Sequence, residues 1–174
     1  NFKMMKAKTP RDSITIVTDS VLPSETNPLH NLFGGELLAR MDRAASIAAQ
    51  RHSRRIVVTA SINHVAFNHA VPLGSVITIE AKVSRSFTTS MEVYMDVWVE
   101  NRKSGGKTKA NEAIYTFVAL DDNGNPVKVP VLKPETKEEI ERFEGALRRK
   151  QLSLVLAGKM KPNDATELKA LFIG

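Results

Sequence analysis

The stretch "NPLHNLFGGELLARMDRAASIAAQRH", residues 27–52, decides how the chain is read. Placed 100° apart on a helical wheel, Leu37, Leu38, Met41, Ala44, Ala45 and Ala48 form one apolar stripe, and Glu36, Arg40, Arg43 and Gln50 take the opposite side. This predicts an amphipathic helix running to about Arg51, with alanines that let a sheet approach closely. Two features exceed what a core helix requires. Gly34 and Gly35 either give a tight start or leave the first helical N–H groups open to an anion or a developing oxyanion. Asp42 falls at the edge of the stripe, beside Leu38, Ala45 and Ala49, as a half-buried acid. It serves either a structural hydrogen bond or acid–base chemistry.

Outward from the helix, the pattern changes period. "SITIVTD" (13–19) alternates as a first strand, and residues 20–31, with two prolines, two asparagines and a serine, read as a loop. "RIVVTASINHVAF" (55–67) is rich in β-branched residues. "VITIEAKVSRSF" (76–87) puts Ile77, Ile79, Ala81 and Val83 on one face. "SMEVYMDVWVE" (90–100) does the same with Met91, Val93, Met95, Val97 and Val99, and "KANEAIYTFVAL" (109–120) returns after a short turn. Three long strands joined by short turns predict an antiparallel meander. The expected class is α+β, an antiparallel sheet of about five strands wrapped around a central helix. Tyr94 and Trp98, on the other face, are expected to pack between subunits.

Beyond Pro134 the sequence turns helical. Thr136 and Glu139 form a capping box, Ile140, Phe143 and Leu147 a stripe, and Arg148, Arg149 and Lys150 are placed in the last turns. Residues 163–172 suggest another helix capped by Asn163. The expected organisation is a loose basic arm (1–11), the sheet-and-helix domain (12–132) and a C-terminal helical extension (133–174). Met4 or Met5 is the expected natural start, and no signal peptide is read.

At 174 residues the chain suits one domain. It has no cysteine, which excludes disulfides, thiolate metal sites and a cysteine nucleophile, and fits a reducing cytoplasm. No apolar run approaches the ~20 residues of a membrane span. The net charge of +6 attracts polyanions. The strands do not interleave surface aromatics with basic residues, which argues against nucleic acid. The Arg148–Arg149–Lys150 cluster is either a solvated helix end or a seat for a small phosphate-bearing ligand. His30, His52, His64 and His69 show no His-x-x-x-His spacing, and there is no Gly-x-Ser-x-Gly elbow, so no metal site is expected. His64 and His69 border a strand end, where they either line a ligand channel or do not take part.

"NLFGGELLARMD", "VVTASINHVAFNHAVPLGS", "TTSMEVYMDVWVE" and "ANEAIYTFVALDDNGNPVKVPVLKPET", in this order from about Asn27 to Phe143, resemble the hotdog-fold acyl-CoA thioesterases of the acyl-CoA hydrolase type. The resemblance implies hydrolysis of acyl-CoA to free fatty acid and CoA without metal or cofactor, CoA being part of substrate and product. It also implies an obligate homodimer, often a hexamer built as a trimer of dimers. Asp42 matches the catalytic acid, as general base or nucleophile. Asn31 matches an Asn or Asp before the glycine pair, and Gly34 and Gly35 match glycines whose amides face the thioester carbonyl. Thr89, Ser90 and Met91 match a segment near the CoA tail, with Arg148 and Arg149 as candidate phosphate contacts. His30 departs from the family pattern. Gly35 and Asp42 stand about 10 Å apart along one helix, so the expected site is composite, with amides and Asn31 from one subunit and Asp42 from the other. A hydratase would need a helix histidine that Gly35–Gln50 lacks. A non-catalytic acyl-CoA-binding regulator remains as the alternative.

Overall fold

Alternation along residues 76–120 produces the meander directly. In the computed structural model, which describes residues 5–173, β3 (Val76–Ser86), β4 (Ser90–Glu100) and β5 (Lys107–Leu120) pair antiparallel in sequence order. β1 (Thr15–Ser20) joins β3, and β2 (Ile56–Phe67) joins β5, giving the order β1-β3-β4-β5-β2 in one five-stranded antiparallel sheet. α1 (Gly34–Ser53) lies across the inner face and touches every strand. Its Leu37, Met41, Ala44, Ala45, Ala48 and Ala49 are buried against Ile77, Ile79, Val83, Met91, Val93, Met95, Tyr115 and Phe117. This is the hotdog arrangement that the sequence predicts.

Arg40 departs from the wheel. Expected on the solvent side, it is buried because its Nη2 donates to Glu25 Oε2 (2.6 Å) and to the Ser20 carbonyl (3.1 Å). Glu25 is held below the usual carboxylate range, first by the Leu22 N–H it accepts and then by Arg40. The pair ties α1 to the loop before it.

The extension covers the outer face. α2 (Lys137–Leu156) starts at the expected capping box: Thr136 Oγ1 accepts from Glu139 N–H (3.2 Å), and Glu139 Oε2 accepts from Thr136 N–H (3.0 Å). Of the expected apolar stripe, Phe143 packs against the core and Leu147 is half-buried, but Ile140 is exposed, and Gly145 and Ala146 are the buried small residues of the helix. Two arginines also hold the helix. Arg142 pairs with both oxygens of Asp96 and stacks on Tyr94, and Arg149 grips Glu92. Tyr94 is therefore covered by this chain's own α2, contrary to its expected place between subunits. Arg148–Lys150 lie in mid-helix, since α2 continues to Leu156. Asn163 caps nothing: it sits in a 3-10 turn (Pro162–Asp164), and α3 (Thr166–Lys169) follows Ala165.

The arm is not loose where it is described. Lys8 bridges Leu132, and its Nζ donates to the carbonyls of Arg51 and His52 (2.9 and 2.7 Å). Residues 1–4 of the expected arm lie outside the described residues. Among the described residues no helix is long and apolar enough to cross a membrane.

Candidate active site

α1 begins without a side-chain cap. Its N-cap is Phe33, whose carbonyl accepts from Leu37 N–H (3.1 Å), and the N–H groups of Gly34, Gly35 and Glu36 have no protein acceptor among the described residues. Helix starts normally satisfy these donors with Ser, Thr, Asp or Asn. A Cβ at Gly34 would stand 3.4 Å from the Phe67 ring, whereas one at Gly35 would meet nothing within 4 Å. Gly34 thus admits Phe67, and Gly35 leaves the helix end open.

The loop before the helix is folded onto itself. Asn27 Oδ1 accepts from the N–H groups of Leu29 (3.0 Å) and Asn31 (3.2 Å), and Asn27 N–H donates to the Asn31 carbonyl (2.8 Å). His30 closes this turn in the left-handed region (φ 56°), a conformation that favours glycine. With Asn27 Oδ1 occupied, its Nδ2 keeps two N–H donors with no partner among the described residues. Asn27, Asn31 and Gly34 line a cavity of about 270 Å³ with Leu37, Phe67 and Asn111. The structure therefore brings Asn31 and Gly34 together. Gly35 adjoins them in sequence, and Asn27 joins them.

Asp42 is elsewhere. It does not line that cavity; it sits two turns further along α1, half-buried, where its Oδ1 accepts from Thr59 Oγ1 (2.6 Å). Thr59 faces the helix from β2, opposite Phe117, and the ladder shifts register just after it. From the other side, Tyr115 O–H donates to the Leu38 carbonyl (3.1 Å), the carbonyl one turn below Asp42. Burial, then the Asp42 charge, push the Tyr115 phenol up to about 12. Among the described residues, Asp42 Oδ2 has no partner.

A family model described as the thioesterase superfamily matches residues 29–105. The "uncharacterized acyl-CoA thioester hydrolase YkhA" of Bacillus subtilis is 41% identical over 139 residues, covering 80% of this chain and 81% of that protein. The chain belongs to the acyl-CoA thioester hydrolase family. A solved hexameric acyl-CoA thioesterase in its apo form superposes on this family member with a TM-score of 0.85 at 38% identity, over 88% of this chain and 98% of the other. The acyl-CoA hydrolase of Staphylococcus aureus, solved with butyryl-CoA, CoA and CoA disulfide, gives 0.81 at 32% identity, over 94% and 99%. That protein has also been solved with an asparagine, an aspartate and a threonine each replaced by alanine. The three lie fifteen and then seventeen positions apart, as Asn27, Asp42 and Thr59 do in this hydrolase.

Reading the sequence missed Asn27 and Thr59. The signal for Asn27 was local, an asparagine able to close a turn onto its own backbone. Thr59 gave no signal within an ordinary β-branched run.

The expected CoA contacts divide. Met91 is fully buried in the core. Arg149 donates from Nε and Nη2 to Glu92 (2.9 and 2.7 Å), so its guanidinium is engaged within the protein. Arg148 has no ion pair among the described residues. Ser90 lines a second cavity, about 290 Å³, together with Lys150 and Lys159. Burial, then Arg85, lower the Lys150 pKa. The Thr89 carbonyl accepts from Ala119 N–H (2.9 Å), holding the segment to the sheet end. Among the histidines, His69 lines the first cavity, His64 is exposed on β2, and His52 is buried with Nε2 against the Pro130 carbonyl (2.8 Å). Among the described residues, no three His, Asp or Glu side chains cluster as a metal site would require.

Proposed function

We propose that this protein hydrolyses acyl-CoA thioesters to free fatty acid and CoA, with Asp42 as general base on water or as nucleophile. The observation that carries the reading is the Thr59–Asp42 hydrogen bond, which fixes Oδ1 and leaves Oδ2 free to act. As base, Oδ2 takes a proton from water, whose oxygen adds to the thioester carbon. The oxyanion forms at the free amides of Gly34 and Gly35 and is released as the C–S bond breaks, and the CoA thiolate leaves with the proton. As nucleophile, the same oxygen forms a mixed anhydride that water then cleaves. The matching separations favour Asn27 over Asn31 for the side-chain amide at this end, its Nδ2 supplying the hydrogen bonds. Ser90, Thr89 and Arg148 are proposed to line the path of the CoA tail, with Lys150 and Lys159 attracting its phosphates.

The catalytic acid and the open amides stand two turns apart on one helix, which supports a site shared across a homodimer. β2 favours that partner. It is an edge strand with one side unpaired, and Ile56, Val58, Ile62 and Phe67 are exposed along it. Such an edge is a liability unless covered. Antiparallel α1 helices about a two-fold would set Asp42 of one subunit near the amides of the other. A hexamer, built of three such dimers, is proposed by likeness to the solved hexameric relative, and a cytoplasmic location by likeness to the cytosolic acyl coenzyme A thioester hydrolase of Rattus norvegicus.

The test is a thiol-release assay on purified protein across acyl-CoA chain lengths. Asp42→Asn should lower turnover by roughly 100-fold or more, the scale of losing a general base, with an unchanged melting temperature. Near-wild-type turnover would remove Asp42 from the mechanism. Acyl-CoA binding without any turnover in the wild type would make the protein a regulator.

A further inference from the structure

One buried cation of α1 has no part in the proposed hydrolysis. Arg40 is 6% exposed, and its Nη2 donates to the Ser20 carbonyl (3.1 Å) and to Glu25 Oε2 (2.6 Å). Its Nη1 is buried 3.4 Å from Asp19 Oδ2, without a well-directed hydrogen bond. Among the described residues, no other side chain of α1 hydrogen-bonds to residues 20–33. Glu25, the residue it grips, is the base of a short hairpin. The Glu25 carbonyl accepts from Phe33 N–H (2.9 Å), Thr26 bridges Leu32, and Asn27 N–H donates to the Asn31 carbonyl (2.8 Å). Asn27 therefore stands two residues beyond the gripped position, on the same arm of the hairpin.

The other tethers of the hairpin hold its second arm. Leu32 N–H donates to the Val71 carbonyl (2.8 Å) and Leu73 N–H to the His30 carbonyl (2.8 Å), both in the β2–β3 connection. That second arm is also continuous with α1 through Phe33. The first arm, with Asn27, is joined to the helix by Arg40, which stands six residues, about 9 Å of helix, beyond Gly34. A guanidinium suits this task, because its planar fork holds the Ser20 carbonyl and the Glu25 carboxylate at once. Burying a charge in this way adds little net stability. What it supplies is a fixed geometry between the first arm and the helix.

We propose that Arg40 is a positioning residue for the hydrolysis: through Glu25 it fixes the arm that carries Asn27, and so sets the Asn27 Nδ2 donors relative to the open amides of Gly34 and Gly35. The inference rests on the thioesterase reading above, in which Asn27 hydrogen-bonds at the thioester end, and adds what holds that amide in place. Arg40 touches neither the substrate nor the reacting atoms. Its effect reaches the reaction as preorganisation, where a misplacement of about 1 Å costs up to about 100-fold in rate.

The experiment is a double-mutant cycle read by CoA release, with the acyl-CoA chain length that the wild type turns over fastest. Arg40→Met, Asn27→Ala and the double variant are compared for kcat and KM. Arg40→Met should lower kcat by roughly 10-fold, part of what a misplacement can cost, with KM within about 2-fold of wild type. That split marks an interaction made in the transition state. In the Asn27→Ala background the same change should cost less than about 2-fold, because the side chain it positions is gone. A merely structural arginine would lower Tm and, through loss of folded protein, reduce kcat by the same factor in both backgrounds. Glu25→Ala opens the clasp from the loop side and should reproduce both results, which keeps the test decisive if the methionine variant does not fold. An unchanged kcat in these variants, or a factor that is equal in both backgrounds, overturns the proposal and leaves the role of Asn27 standing. If Asn27→Ala keeps the wild-type kcat, the role of Asn27 fails and this inference fails with it. If the wild type releases no CoA from any chain length, the thioesterase reading itself fails.

Discussion

Replacing Arg149 with methionine should destabilise the fold and leave CoA capture intact. Glu92 is 3% exposed on the outer face of β4, where it accepts two hydrogen bonds from Arg149 and one from Ser84 Oγ (2.6 Å). Without the guanidinium, the carboxylate keeps only the serine. Stranding one member of a buried pair costs about 3–5 kcal/mol. Arg149 keeps a quarter of its side chain exposed, so the lower figure applies. In a chain of this size about 3 kcal/mol lowers Tm by roughly 6–12 °C. Circular dichroism melts of the wild type, Arg149→Met and the double variant with Glu92→Met measure it. The double variant should recover most of the loss, because an apolar pair of similar volume avoids burying a lone charge. KM for acyl-CoA should change by less than about 2-fold, since this side chain is committed to Glu92. A melt within about 2 °C of wild type together with a large rise in KM would falsify the structural assignment and make Arg149 a phosphate seat.

Other expectations follow from the same geometry. Thr59→Val removes the 2.6 Å bond to Asp42 at nearly constant volume; kcat should fall by roughly 10-fold or more, the scale of a hydrogen bond to a charged group, and an unchanged kcat would mean that Asp42 orients itself. Co-expressed Asn27→Ala and Asp42→Ala chains should regain about a quarter of wild-type activity if the site is shared across a two-fold, because half of randomly paired dimers then hold one intact site. Purified mixed dimers no more active than either single variant would put both residues to work within one chain. His52 is depressed below its ordinary value of 6.5 by burial, against the opposing hydrogen bond to Pro130. The unfolded chain therefore takes up the proton first, so this contribution to stability is complete above about pH 6.5 and declines as the pH falls towards the folded value. His52→Gln should flatten the change in Tm between about pH 7 and pH 5, and an equally steep change in that variant would point to other groups.

Much of the architecture is written in local periodicity. Alternation along residues 76–120 specifies the meander, because shifting a strand by one residue would turn Met91, Val93 and Met95 to the wrong face. The apolar stripe of α1 specifies which side of the helix meets the sheet. The capping box of α2 is equally local, since Thr136 and Glu139 satisfy each other's backbone N–H groups within one turn. Asp42 and the glycine pair stood out for a related reason: each departs from a pattern that its neighbours keep.

What the chain's own order could not express was partnership between distant residues. Arg40 and Arg149 look like surface cations on their helices, and only the arrival of Glu25 and Glu92 from other elements makes them buried clasps. Met91 belongs to a segment resembling a ligand contact, yet strand alternation turns it into the core while its neighbour Ser90 lines a cavity. Thr59 and Asp42 become a unit because β2 runs beside α1 as the edge of the sheet. Periodicity decides which face of an element is apolar. Which polar side chains meet across the layers is decided by strand order and helix placement, and hydrogen bonds, unlike hydrophobic burial, depend on that meeting to within tenths of an ångström.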